Sequence, residues 1–220
     1  MTTVRPAYAV DSITPPSESL ILACQKDFDI VFWGAYIGNP SLTPTTQDLL
    51  NAHGIPVLPI ARLSGRVPYR GGDAAHDFYE QMQLIHSLAT DTLYDGHACP
   101  VLDVEGTPIP SVDYLMGWLE CCAKLGGEGH PIVYFPNGRN YPTHALHLSA
   151  AARATGISPR VWVAWYDFGY NQSLHFPTWD AERGAVPDGC ELFARQAQGN
   201  VILGGTLIDV SVFPPPAGAQ

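Results

Sequence analysis

The sequence predicts a single (β/α)8 barrel of the TIM type over residues 1–220, with its core between residues 7 and 213. Three observations lead there. Eight short apolar runs bounded by turn residues recur along the chain, helical patterns fill most of the gaps, and 220 residues suit one such domain better than two. Strands that alternate with helices imply parallel strands joined by right-handed crossovers. Eight evenly spaced units favour closure over an open doubly wound sheet, so eight parallel inner strands are expected.

The strand candidates are residues 7–11, 29–38, 56–62, 99–106, 131–137, 161–167, 192–198 and 207–213. Most are rich in Val, Ile and aromatic residues, the pattern of strands buried on both faces. Helices are expected over 43–53, 73–90, 111–125 and 143–155, with a shorter one over 17–26. Thr43 followed by Pro44 reads as an N-cap with proline at the first helical position, and Gly54 as the stop. Asp73 reads as the cap of the longest helix, after the Gly71-Gly72 break. The repeat loses regularity in its last two units. Residues 171–189 form a loop containing Pro and Trp, and residues 199–206 are too few for a helix.

Composition narrows the function classes. Lys and Arg number 11 against 21 Asp and Glu, a net charge of -10, which disfavours a nucleic-acid partner. No apolar run reaches the roughly 20 residues of a membrane span. Residues 1–9 carry one Arg and no apolar h-region, so no secretory signal peptide is expected. The five cysteines, at 24, 99, 121, 122 and 190, read as reduced, buried thiols, which points to synthesis in a reducing cytoplasm.

Barrels of this kind carry their chemistry at the C-terminal ends of the strands, and here those ends are rich in polar residues. Asp103 and Glu105 stand out. Residues at i and i+2 of a strand share a face, so both carboxylates should point into the barrel, about 7 Å apart along the strand. Two carboxylates in a partly dry site cannot both ionise freely, so one becomes a proton donor near neutral pH. An ion pair or strand-end cap is the plainer alternative, but no Arg or Lys lies within ten residues on either side. Asp11 and Asp209 form a second pair, because the first and last strands of a closed barrel are neighbours about 4.8 Å apart. Four acids around one mouth suit a neutral polyhydroxylated ligand such as a sugar. Tyr36, Tyr134, Trp165 and Tyr166 near strand ends offer stacking faces, and Gln196 lies late in the seventh strand. His144 and His147 sit on an outer helix with no converging acid or thiol, and no nucleotide fingerprint is present. No metal and no cofactor are expected.

In this order the motifs resemble the family 25 glycoside hydrolases, the lysozyme-type muramidases. They are more similar still to the glycoside-hydrolase-like domains grouped as domain of unknown function 1906. The resemblance runs from Tyr8 to Phe213, through AVDS, VLDVEG, IVYFPN, WVAWY and RQAQGNVILGGTLIDVSVF. It implies that Glu105 is the acid catalyst, Asp103 its partner, and Asp11 and Asp209 supporting acids. It also implies a retaining reaction on a bacterial cell-wall glycan, of the peptidoglycan lysozyme type. The Gly-x-Asp-x-Ser opening of the lysozymes is replaced here by Ala9-Val10-Asp11-Ser12, followed by Pro15-Pro16. The alternative is a catalytically silent barrel that binds carbohydrate or serves, with protein partners, in a phage virion or cell-envelope assembly. The cell wall or a virion is then the expected place of action.

Overall fold

Alternation along each strand separates two apolar environments. The computed structural model describes residues 7–38, 42–62, 71–85, 93–94, 99–104, 108–125, 130–135, 141–164 and 186–213. Among these, eight strands close a barrel in sequence order. They are β1 (Tyr8–Ser12), β2 (Ile30–Tyr36), β3 (Val57–Arg62), β4 (Val101–Asp103), β5 (Ile132–Phe135), β6 (Arg160–Ala164), β7 (Glu191–Leu203) and β8 (Thr206–Val212). Ala9, Phe32, Ile60, Val101, Ile132 and Trp162 face inward. Their neighbours Val10, Trp33 and Val57 pack outward with Leu20 and Leu50, while Leu102, Val133 and Val161 pack outward with Phe78, Trp118 and Leu148.

Five helices accompany the strands among the described residues: α1 (Glu18–Asp27), α2 (Pro44–Ala52), α3 (Gly71–Ile85), α4 (Val112–Leu125) and α5 (Tyr141–Thr155). Local chemistry sets their ends. The Ser17 side chain accepts the Leu20 N–H at the start of α1. Thr43 and Thr46 form a reciprocal capping box around Pro44 on α2. Ser111 accepts the Tyr114 N–H on α4. Gly54 and Gly156 take positive φ just past α2 and α5, where a side chain would be strained. No described helix is long and apolar enough to cross a membrane.

Two expectations need correction. α3 begins at Gly71, so Asp73 lies inside the helix rather than capping it; glycine is tolerated at a helix start, where little backbone order is lost. More consequentially, the strands are not all parallel. β1 to β7 run in one direction, and β8 is antiparallel to both β7 and β1. The segment read as a connection after residue 198 is instead the end of a longer β7 and a two-residue turn. Gly204 and Gly205 take φ of 55° and 81°, the left-handed pair that matches hairpin twist. A parallel β8 would need a crossover of a dozen residues or more, and the chain provides two.

The interior grades from apolar to polar. Phe32, Phe193 and Phe213 close the end where β1 begins, with Phe32 and Phe193 stacked at 5.9 Å and Phe213 edge-on at 5.3 Å from both. Burial of each such ring is worth about 1.5–3 kcal/mol. Above them Trp162 donates its indole N–H to Ser211 Oγ at 2.9 Å and meets Tyr134 edge to face. The carboxylates lie beyond. Gly34 makes this layer possible: it pairs with Asp11, and a Cβ there would stand 2.8 Å from Asp11 Cβ and 3.0 Å from Ile60 Cδ1. Gly34→Ala should therefore destabilise the fold by about 1–3 kcal/mol through overpacking. Thermal unfolding followed by circular dichroism should show a Tm about 3–10 °C lower; an unchanged Tm would mean that β1 and β2 separate freely.

Candidate functional site

The mouth of the barrel is built around the closure of β8 on β1. Asp11, the fourth residue of β1, pairs in register with Asp209, the fourth residue of β8. Because β8 runs backwards, its beginning rather than its end reaches the mouth. Asp11 is almost fully enclosed and Asp209 is half-buried. Ser12 Oγ donates to the Leu207 carbonyl at 3.0 Å and accepts the Thr14 N–H at 3.0 Å, tying the end of β1 to β8.

A bulge in β7 completes the surroundings of Asp209. Between the pairs Gln198–Val210 and Val201–Ile208, two residues of β7, Gly199 and Asn200, stand opposite the single Asp209. Asn200 takes φ of 56°, a conformation asparagine tolerates better than most residues. Its N–H thereby points at Asp209 Oδ1, 2.7 Å away. Burial pushes the Asp209 carboxyl above the usual carboxylate range, against the Asn200 N–H and the Gln196 side chain, which favour the charged form.

Among the described residues, Asp11, Ser12, Tyr36, Asn200, Leu207 and Asp209 line a cleft of about 130 Å³, with Ile13 and Ile208. Tyr36 is thus brought to the acids, as the sequence reading requires of a ligand-facing aromatic. Tyr134 and Gln196 sit deeper. They are 6% and 1% exposed, and the Tyr134 hydroxyl donates to Gln196 Oε1. The hydroxyl and the amide oxygen thus serve each other, beside Asp209, whose charged form Gln196 favours.

Asp103 ends β4 on the barrel interior and is wholly enclosed, 0% exposed. Its register partners are Arg62 on β3 and Tyr134 on β5. Leu102 and Val104 pack toward the helices, as the strand parity predicts. Glu105, Trp165 and Tyr166 lie outside the described residues.

Ser12, Ile13, Asn200 and Leu207 were not picked out from the sequence. Gly199-Asn200 carries a bulge signal, but a stretch read as connecting loop hid it. No group of three or more His, Cys, Asp or Glu that could hold a metal occurs among the described residues. His147 Nδ1 lies 2.7 Å from the Pro110 carbonyl, and His144 packs edge-on to Phe135 inside the helical layer. Two carboxylates side by side on a cleft with a tyrosine can accept hydrogen bonds from hydroxyl groups and exchange a proton with a bound ligand.

No family model matches the chain, and no curated protein matches it in sequence. Two crystal structures share its architecture. One is of an uncharacterized B. stearothermophilus protein, with a TM-score of 0.74 and 15% identity over 97% of this chain and 98% of that one. The other is of the Mycobacterium tuberculosis Tat-secreted protein Rv2525c in complex with L-tartrate, with a TM-score of 0.55 and 14% identity over the same shares. At this identity the likeness establishes the (β/α)8-type barrel and nothing finer.

The position of Asp209 has a measurable consequence. A carboxyl whose folded value is raised favours the folded state most while protonated. That contribution is complete below the unfolded value of 3.8 and is lost as pH rises through the folded value. Asp209→Asn removes the buried charge while keeping an acceptor for the Asn200 N–H. Its Tm should exceed that of the wild type at pH 7, with the difference shrinking toward zero at pH 3. Melting curves across that range decide it, and a pH-independent difference would contradict the assignment.

Proposed function

We propose that this protein is a glycoside-hydrolase-like barrel acting on a bacterial cell-wall glycan of the peptidoglycan type. The observation that carries the reading is the in-register pair Asp11 and Asp209 on a cleft with Tyr36, at the end of the barrel where β4 delivers Asp103. Barrel enzymes place their reactive groups at that end. L-tartrate, bound by the structurally similar mycobacterial protein, carries adjacent hydroxyl groups, and hydroxyl groups are what such carboxylates accept from.

In this reading Glu105 protonates the glycosidic oxygen. Asp103 stabilises the oxocarbenium-like centre or orients the substrate's acetamido group, and Glu105 then activates water, so that anomeric configuration is retained. Asp11 and Asp209 support the site, Tyr36, Trp165 and Tyr166 offer faces for sugar rings, and the Tyr134–Gln196 pair backs Asp209. The place of action is the cell wall or a phage virion.

The complete burial of Asp103 supports a second reading. In it the barrel is catalytically silent and binds carbohydrate, or serves with protein partners in a virion or cell-envelope assembly. Release of reducing ends from purified peptidoglycan and a panel of other wall glycans separates the two. For an enzyme, Glu105→Gln should lower the rate by about 10²- to 10⁴-fold with unchanged Tm, since general acid catalysis is worth that much. Asp103→Asn should lower it as well. A wild-type protein that binds glycan yet releases no ends from any substrate sinks the hydrolase reading in favour of the silent barrel.

A further inference from the structure

Away from the mouth, the layer between β4 and the helices holds a pair of thiols that the proposed chemistry does not use. Cys99 lies two residues before β4, and Cys122 lies on the inward face of α4. Both belong to the same apolar cluster as Leu102, Leu119 and Val133. The Cys99 thiol donates to the Cys122 carbonyl across 3.5 Å. The two thiols are near enough to perturb each other's ionisation, while Cys121 is half-buried alongside. All five cysteines are free thiols in this structure.

We infer that Cys99 and Cys122 form a site of reversible disulfide formation that fastens the entry of β4 to α4 when the protein meets hydrogen peroxide. The Cys99 sulfur already lies 3.5 Å from the Cys122 carbonyl oxygen and the residues are 23 apart, so closing the bond would remove chain entropy from the unfolded state. The two thiols are not equivalent. The Cys122 side chain lowers the Cys99 thiol against the opposing effect of burial, whereas burial raises Cys122 well above the ordinary value. Cys99 is accordingly the nucleophile. Its sulfur attacks one peroxide oxygen and the O–O bond breaks. The Cys99 proton leaves with the other oxygen as water, and Cys99 becomes a sulfenic acid. The Cys122 sulfur then attacks that sulfur, the S–O bond breaks, and the hydroxyl departs with the Cys122 proton as a second water. Two thiols and one hydrogen peroxide thus give one disulfide and two waters. Hydrogen peroxide is small enough to reach a site closed to larger oxidants. The cross-link would lie four residues before Asp103, on the strand that carries it.

The test treats the reduced full-length protein with hydrogen peroxide, then denatures it in an alkylating agent and maps the peptides by mass spectrometry. A peptide pair joined through Cys99 and Cys122 is expected, together with a Tm raised by about 5 °C or more and returned by dithiothreitol. Cys121→Ser should leave both results intact, while Cys122→Ser should abolish both. The wild-type map stands by itself if a serine variant fails to fold. Full alkylation of both thiols after peroxide, stable sulfinic acid at Cys99, or a bond to Cys121 instead would each overturn the proposal.

Discussion

Closure of the barrel rests on one hairpin. β7 and β8 are joined by Gly204-Gly205, two residues that both adopt backbone angles a side chain resists. That turn reverses the chain before β8 meets β1, so the seam of the barrel is antiparallel. The hairpin is also long enough to pass the end of β1. A Cβ on Gly204 would contact Leu20 Cα at 3.4 Å, so the tip leans on the start of α1. The free edges that an open sheet would expose are thereby paired. The same reversal carries Asp209 to the mouth, which the end of a parallel eighth strand would have reached with Phe213.

The bulge that follows from this arrangement has a chemical effect as well as a geometric one. Two residues of β7 against one of β8 leave the Asn200 N–H without a ladder partner, and Asp209 takes it up. Asp209 is thus held by a backbone donor, while the nearby Gln196 side chain, itself engaged by Tyr134 on β5, favours its charged form. Polar groups thus span the interior from β5 to β8, above an aromatic layer of Phe32, Phe193 and Phe213. Low polarity beneath and fixed donors beside it set the balance that leaves burial dominant at Asp209.

The helical layer is organised differently. α3 and α4 meet through apolar contacts such as Phe78 on Trp118 at 5.2 Å and through a buried hydrogen bond from the Tyr114 hydroxyl to Asp77 at 2.9 Å. Cys99 and Cys122 occupy the same layer, separated from the mouth by the wall of β4. Chemistry on the thiols can therefore alter the rigidity of the strand that bears Asp103 without placing any group in the cleft.

The number of strands, the (β/α)8 class, the cap at Thr43, and the parity that turns Asp103 inward and Leu102 outward were legible in the sequence. These are local properties, written in period, turn residues and capping chemistry within a few positions of one another. It also implied that Asp11 and Asp209 would be neighbours, since closure alone requires the first and last strands to meet. The direction of β8 was decided by tertiary pairing. Residues 199–206 are compatible with a loop or a hairpin until a partner strand offers hydrogen bonds for Asn200, Val201 and Ile202. Arg62 beside Asp103, Asn200 on Asp209, and Tyr134 turned onto Gln196 were likewise set only by the register between strands. Each joins residues far apart along the chain, and register depends on the packing of the whole interior rather than on any one segment.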